Sequence, residues 1–259
     1  MEQINLLELK ALQLSILRNV SDFCEKNNVR YFLIYGTLIG AIRHKGYIPW
    51  DDDIDIAMPR PDYERFMSVY RHQYYKTIDI FKDSGYGLAS AKVYDNRTKI
   101  EMESYYLCSY GVYIDIFPID GYKSKWQNEK ASILQKLINI KKSRLCSKRN
   151  MSKNAAIALG KFFLFPFNQS CFVKKLDSLS RMADFEKSEY CNCFSSVDVK
   201  KEVFPRRVFE EHCYAEFEGE KFRIPIEYDL YLRQIYGDYM QLPPEEKRVS
   251  HHGMKAYWI

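Results

Sequence analysis

The chain has 259 residues, 46% of them apolar and 28% charged, with 39 Lys and Arg against 34 Asp and Glu for a net charge of +5. Those proportions exclude a disordered chain, a collagen-like repeat and a disulfide-stapled mini-domain, and the length is enough for one large domain or two modest ones with a sizeable core. So small a positive surplus does not call for a nucleic-acid partner, and none is expected.

The N-terminal segment places Leu6, Leu9, Leu12, Ile16, Val20 and Phe23 at steps of three and four, which predicts an amphipathic helix packed on a core. Glu8, Lys10 and Arg18 interrupt its apolar stretch, so neither a secretory leader nor a membrane span is read there. The seven cysteines are odd in number and scattered. Together these point to a reducing, cytoplasmic location.

Arg30–Tyr35 is a dense apolar run expected to be a buried strand, followed by a helix over Thr37–His44 that ends near Gly46. Ile54–Met58 alternates like a strand. Pro61–His72 reads as a helix with Tyr63, Phe66, Val69 and Tyr70 turned inward. Strands are expected over Thr77–Lys82, Gly87–Asp95, Thr98–Ser104 and Val112–Phe117. Near the end, Tyr214–Phe217 and Lys221–Ile224 flank a turn as a hairpin, and Tyr228–Tyr236 reads as a helix closed by Gly237. Helices alternating with several strands predict an α/β (α+β) fold, a mixed sheet flanked by helices.

Residues 122–175 differ in kind, with thirteen Lys or Arg and a single acid, Glu129. The stretch thus carries +12 on a chain that is otherwise negative, which suits an anionic partner. Within it, Ala155–Phe167 is almost wholly apolar but too short to span a bilayer. It is either a core helix beside a charged one or an amphipathic element lying on an anionic membrane or acceptor.

The chemistry concentrates in Tyr35–Met58, YGTLIGAIRHKGYIPWDDDIDIAM. Gly36-Thr37, where a strand turns into a helix, suits a phosphate cradle. Asp53 and Asp55, two apart on a strand, aim to one face, and paired carboxylates favour a cation such as Mg²⁺ or Mn²⁺. Asp115 repeats the pattern between Ile114 and Ile116. Three carboxylates from two strands beside a phosphate turn describe metal-assisted phosphoryl or nucleotidyl transfer. Cys191-x-Cys193 and His212-Cys213 do not have the usual spacing of zinc pairs and read better as buried thiols.

The run GTLIGAIRHKGYIPWDDDIDI resembles the signature of the LicD family, which has the nucleotidyltransferase fold and includes fukutin and fukutin-related protein. AKVYDNRT with Lys92 and Arg97, YIDIFPIDG at Tyr113–Gly121, FEGEKFRIP and YGDYMQLPP agree, over about Asn28 to His252. The resemblance implies a nucleotidyltransferase-like core over 1–121, a basic helical insertion over 122–187, and strands and a helix over 188–259 that complete the same unit. It also implies transfer of a phospho-alcohol, phosphocholine above all, from a CDP-activated donor such as CDP-choline to a sugar hydroxyl of a glycan that can be lipid-linked, releasing CMP. Asp53, Asp55 and Asp115 would then bind metal, with Asp115 also the candidate base. Arg43, Lys92 and Arg97 are candidates to neutralise phosphate, and His252, in the basic tail, to contact phosphate or acceptor. Two other readings stay open: a nucleotidyltransferase that uses a nucleoside triphosphate, and a non-catalytic module that binds anionic glycopolymer or membrane through the basic stretch.

Overall fold

A computed structural model describes residues 2–102, 110–143, 151–249 and 254–259. Strand β1 (Gln3–Ile4) leads into α1 (Leu6–Asn27), which starts where the Asn5 side chain accepts the Glu8 amide and stops where Asn28 turns left-handed at φ 53°. Leu9, Ile16, Leu17, Val20 and Cys24 form its buried stripe. Leu6, expected in that stripe, is 54% exposed because it opens the first turn, beyond the edge of the core.

After β2 (Phe32–Leu33), the expected strand through Tyr35 ends early. Tyr35 adopts φ +49° and begins α2 (Tyr35–Ile39), which runs on as a π-helical turn over Gly40–His44. Then come β3 (Asp55–Pro59), α3 (Arg60–Val69), β4 (Tyr75–Ile78), β5 (Ala91–Asp95), β6 (Thr98–Met102) and β7 (Tyr113–Gly121). Tyr63, Phe66 and Tyr70 are buried as expected, but Val69 is 48% exposed on the outer side of α3. The basic stretch supplies α4 (Lys125–Lys142), α5 (Met151–Phe163) and α6 (Gln169–Ser180). The remainder is β8 (Tyr190–Asn192), β9 (Phe204–Pro205), the hairpin β10 (His212–Phe217) and β11 (Glu220–Pro225), α7 (Tyr228–Tyr236) and β12 (Met254–Trp258). The hairpin turns on Glu218 and Gly219, both at positive φ, and Gly237 closes α7 at φ +72°.

The main sheet runs β2-β3-β7-β5-β4, extended by β8 and β9 beside β7. Among the described strands of this sheet only β3 and β7 are parallel; their neighbours pair antiparallel. β1, β12 and β6 form a second antiparallel sheet that joins the two ends of the chain. This is the mixed α/β architecture the sequence predicts. The basic stretch is fastened to the sheet by a buried cluster. Arg60 on α3 donates to both oxygens of Asp120 on β7 at 2.6 and 2.7 Å and to Asp177 on α6 at 3.2 Å. Helices α4 and α6 pack together over their own small core of Ala131, Ile138, Phe172, Val173 and Leu176.

Candidate active site

The parallel pairing of β3 with β7 sets Asp55 opposite Asp115, and the antiparallel pairing of β5 with β7 sets Lys92 opposite Asp115. The three side chains therefore stand in a row across three adjacent strands, on one face of the sheet. They line a cavity of about 740 Å³, walled also by Gly36, Asp51, Asp53, Tyr86, Tyr113, Gln135, Lys142, Glu202 and Tyr236. A cavity of that size fits a nucleotide-sized ligand.

Local backbone contacts hold the row. The Asp55 amide donates to Thr37 Oγ1 at 2.9 Å, its carbonyl accepts the Ile34 amide at 3.2 Å, and the Asp115 amide donates to the Ile54 carbonyl at 2.9 Å. Thr37 is thus a buried clamp on Asp55 and not part of the cavity wall, whereas Gly36 is in that wall. A Cβ on residue 36 would stand 2.5 Å from Asp51 Oδ2, so glycine is needed for Asp51 to come close.

Lys92 Nζ donates to both Asp115 oxygens, at 2.6 and 2.7 Å, and lies 3.5 Å from the Tyr113 ring centre. Burial raises the Asp55 pKa well above the usual carboxylate range; the charges of Asp53, Asp115 and Asp51 raise it further, while Lys92 opposes them. Mutual repulsion among oxygen-only donors is the setting a hard divalent cation relieves. Mg²⁺ commonly takes one or two carboxylates and fills its shell with water and substrate phosphate. Asp53 and Asp55 fit such a role. Asp115, expected as a third ligand, has both oxygens on Lys92, and among the described residues no three His, Cys, Asp or Glu side chains form a ready metal cage.

The other expected phosphate contacts fall elsewhere. Arg43 donates to the Tyr239 and Gln241 carbonyls, tying the π-helical turn to the C-terminal loop outside the cavity. Arg97 is fixed to Asp95 at 2.6 and 3.0 Å and lies between the Tyr74 and Trp258 rings, also off the cavity. His252 lies outside the described residues. Cys191 and Cys193 are buried thiols whose pKa values burial pushes up, that of Cys193 to about 12, which disfavours the thiolate that zinc requires.

Several cavity residues carry no local motif. Lys142, at the last turn of α4, is half-buried beside Lys92 and Asp115; desolvation lowers its pKa, the Lys92 charge adds to that, and Asp115 opposes both. Glu202 is 4% exposed, and its Oε1 accepts the Tyr35 hydroxyl at 2.9 Å. Burial pushes its pKa up to about 8. Among the buried polar atoms on the cavity wall, Tyr86 OH and Gln135 Oε1 have no hydrogen-bond partner in the described residues, as expected of groups that face a ligand. Only the terminal position of Lys142 on a basic helix hinted at such a role in the sequence.

Residues 28–175 match the family described as LicD/FKTN/FKRP, nucleotidyltransferase domain. Over its whole length the chain is similar to the lipopolysaccharide cholinephosphotransferase LicD of Haemophilus influenzae, 34% identical over 270 residues that cover 99% of each protein. It also resembles an uncharacterised protein of Rickettsia typhi, 36% identical over 88 residues that make up 34% of this chain and 26% of the relative.

Proposed function

The chain belongs to the LicD family, and from that premise we propose that it transfers phosphocholine from CDP-choline to a sugar hydroxyl of a lipopolysaccharide-type glycan, releasing CMP. The observation that carries this reading is the row of Asp55, Asp115 and Lys92, with Asp53 beside it, along a nucleotide-sized cavity. The donor pyrophosphate lies along that row, where Lys92 and Lys142 contribute positive charge. The acceptor oxygen attacks the phosphorus that carries choline, and the bond from that phosphorus to the CMP oxygen breaks in line. The hydroxyl proton passes to an Asp115 oxygen, which gives up one of its two contacts with Lys92 to take it. Mg²⁺ or Mn²⁺ held by Asp53 and Asp55 supplies, when bound, charge that neutralises the pyrophosphate and the leaving CMP.

The test offers the protein a glycan acceptor and Mg²⁺ with CDP-choline, CDP-ribitol, CDP-glycerol or ATP, and identifies what leaves. Phosphocholine on the acceptor with matching CMP is the expected result. Pyrophosphate from ATP would assign nucleotidyl transfer instead. No turnover with any donor would leave a binding module.

The acceptor end of the reading includes an anionic, lipid-bearing surface in a reducing compartment. Along α5 and the turn after it, Leu159, Phe162, Phe163, Phe165 and Phe167 are 53–83% exposed, within a stretch that carries +12. No helix among the described residues is long and apolar enough to cross a membrane. Aromatic side chains beside lysines instead suit shallow insertion at an anionic bilayer. The described cysteines are all unpaired, in keeping with a reducing environment.

A further inference from the structure

We propose that the corner formed by Tyr35, Phe117 and Tyr236, closed by the Glu202 carboxylate, receives the trimethylammonium end of the donor and so selects choline as cargo. The inference rests on the reading of the donor as CDP-choline.

The cavity has two aromatic groups, and they differ in charge. In the first, Tyr110 and Tyr113 stand with ring centres 5.5 Å apart, and Lys92 Nζ is 3.5 Å from the Tyr113 centre and 5.8 Å from that of Tyr110. A fixed ammonium already occupies those faces and Lys142 lies near it, so a second cation would be repelled.

The second group presents the opposite field. Tyr35 and Phe117 have ring centres 5.3 Å apart and planes at 87°, two walls at a right angle. Both are partly exposed to the cavity, although their neighbours Ile34, Ile116 and Pro118 are buried. Tyr236, 46% exposed, lines the same cavity, and its phenol is pushed up by burial and then by the charges of Asp55 and Glu202. It therefore lies within electrostatic reach of both the phosphate-handling row and the buried acid in one cavity, as a group that serves the phosphoryl and ammonium ends of phosphocholine must.

The backbone supports the assignment. Tyr35 holds φ +49°, a left-handed conformation that is unfavourable for a bulky residue. That conformation sets its ring against Phe117 and its hydroxyl on Glu202. Glu202 Oε1 accepts this neutral hydroxyl, and a bound cation would hold the carboxylate ionised. A trimethylammonium has no N–H to satisfy and suits dry ring faces plus one charge. A primary ammonium or a polyol would leave polar groups unpaired there, which gives selectivity.

The test measures calorimetric affinity for CDP-choline, CDP-ribitol and CMP in Mg²⁺ for the unchanged protein and for Glu202→Gln, Tyr236→Leu and Tyr236→Phe. Tyr236 is half-exposed and Glu202→Gln is isosteric, so folding is checked by melting and is expected to hold. The expected result is a preference for CDP-choline over CDP-ribitol that falls by about tenfold in Glu202→Gln and Tyr236→Leu and survives in Tyr236→Phe, with CMP affinity unchanged. If the preference exists and every variant keeps it, the subsite is wrong and the donor reading stands. If CMP affinity falls in parallel with that for CDP-choline, these residues serve the nucleotide or the fold and the subsite is wrong. If the unchanged protein shows no preference for choline, both readings fall.

Discussion

Lys92 and Asp115 form a bidentate ion pair, 2.6 and 2.7 Å, between directly opposed positions on β5 and β7 in the floor of the cavity. Both are buried, with Lys92 3% and Asp115 9% exposed. Removing one partner strands a charge in the interior, which typically costs about 3–5 kcal/mol. Lys92→Met is therefore expected to lower stability by that order and to abolish transfer. The double variant Lys92→Met/Asp115→Asn is expected to regain much of the stability and none of the activity. Denaturant unfolding beside CMP release checks both parts; equal losses in single and double variants would mean the pair is not coupled.

Thr37 sits at a position the motif assigns to phosphate, yet its hydroxyl accepts the Asp55 amide at 2.9 Å. Thr37→Val leaves that buried amide unpaired, a cost of about 1–3 kcal/mol, and frees Asp55 to shift. The expected kinetics are a large fall in kcat with little change in donor KM, and recovery in Thr37→Ser. A rise in KM alone would return Thr37 to direct phosphate contact.

Glu202 carries a pH signature. Its pKa rises from an ordinary 4.5 to about 8 in the folded protein, by desolvation. Between those values the folded state binds more protons than the unfolded one, so stability falls as pH increases through that window. Glu202→Gln removes this contribution, and its melting temperature is expected to gain on that of the unchanged protein from about pH 5 to about pH 8. A difference that stays constant across the range would contradict the assignment.

How legible the site was in sequence depended on whether each residue announced itself locally. Asp55 and Asp115 stood out because carboxylates between isoleucines are costly, Asp53 because it stands two residues from Asp55, and all three line the cavity. Helix α7 ends where Gly237 requires, since a cap at positive φ is a local property. The partner of Asp115 was not readable, because the register of β5 against β7 is a tertiary choice. Nor was the early end of β2, for no propensity rule places a tyrosine at φ +49°. Glu202 and Lys142 arrive from distant segments with no motif of their own, and Tyr236 opens the YGDYMQLPP run without its place in the cavity being readable there.

Arg97 illustrates the opposite case. Its motif context suggested phosphate, but its guanidinium is fixed to Asp95 and stacked against Tyr74. Arg97→Ala is expected to leave the donor KM unchanged within about twofold while it loosens the junction of β5 and β6, for surface-side substitutions of this kind act through local stability. A tenfold rise in KM would reinstate it as a donor contact.

The basic stretch divides into residues that serve the site and residues that face outward. Lys142 lines the cavity, Lys141 donates to the Leu164 carbonyl, and Arg144, Lys148 and Arg149 lie outside the described residues. The apolar side chains therefore test membrane contact more cleanly than charge reversal does. Phe162→Ser/Phe165→Ser is expected to reduce co-sedimentation with anionic vesicles at low salt and to slow transfer to a lipid-linked acceptor, while a short soluble acceptor reacts normally. Equal loss on both acceptors would assign these residues to the fold.

The most direct measurement compares CMP release and phosphocholine transfer from CDP-choline by the unchanged protein, Asp53→Asn and Asp55→Asn, each across a Mg²⁺ titration with melting recorded in parallel. Turnover that needs Mg²⁺, is lost in both folded variants and leaves phosphocholine on the acceptor is the expected result. Near-normal turnover by either variant at saturating Mg²⁺, or full activity after exhaustive chelation, would contradict it.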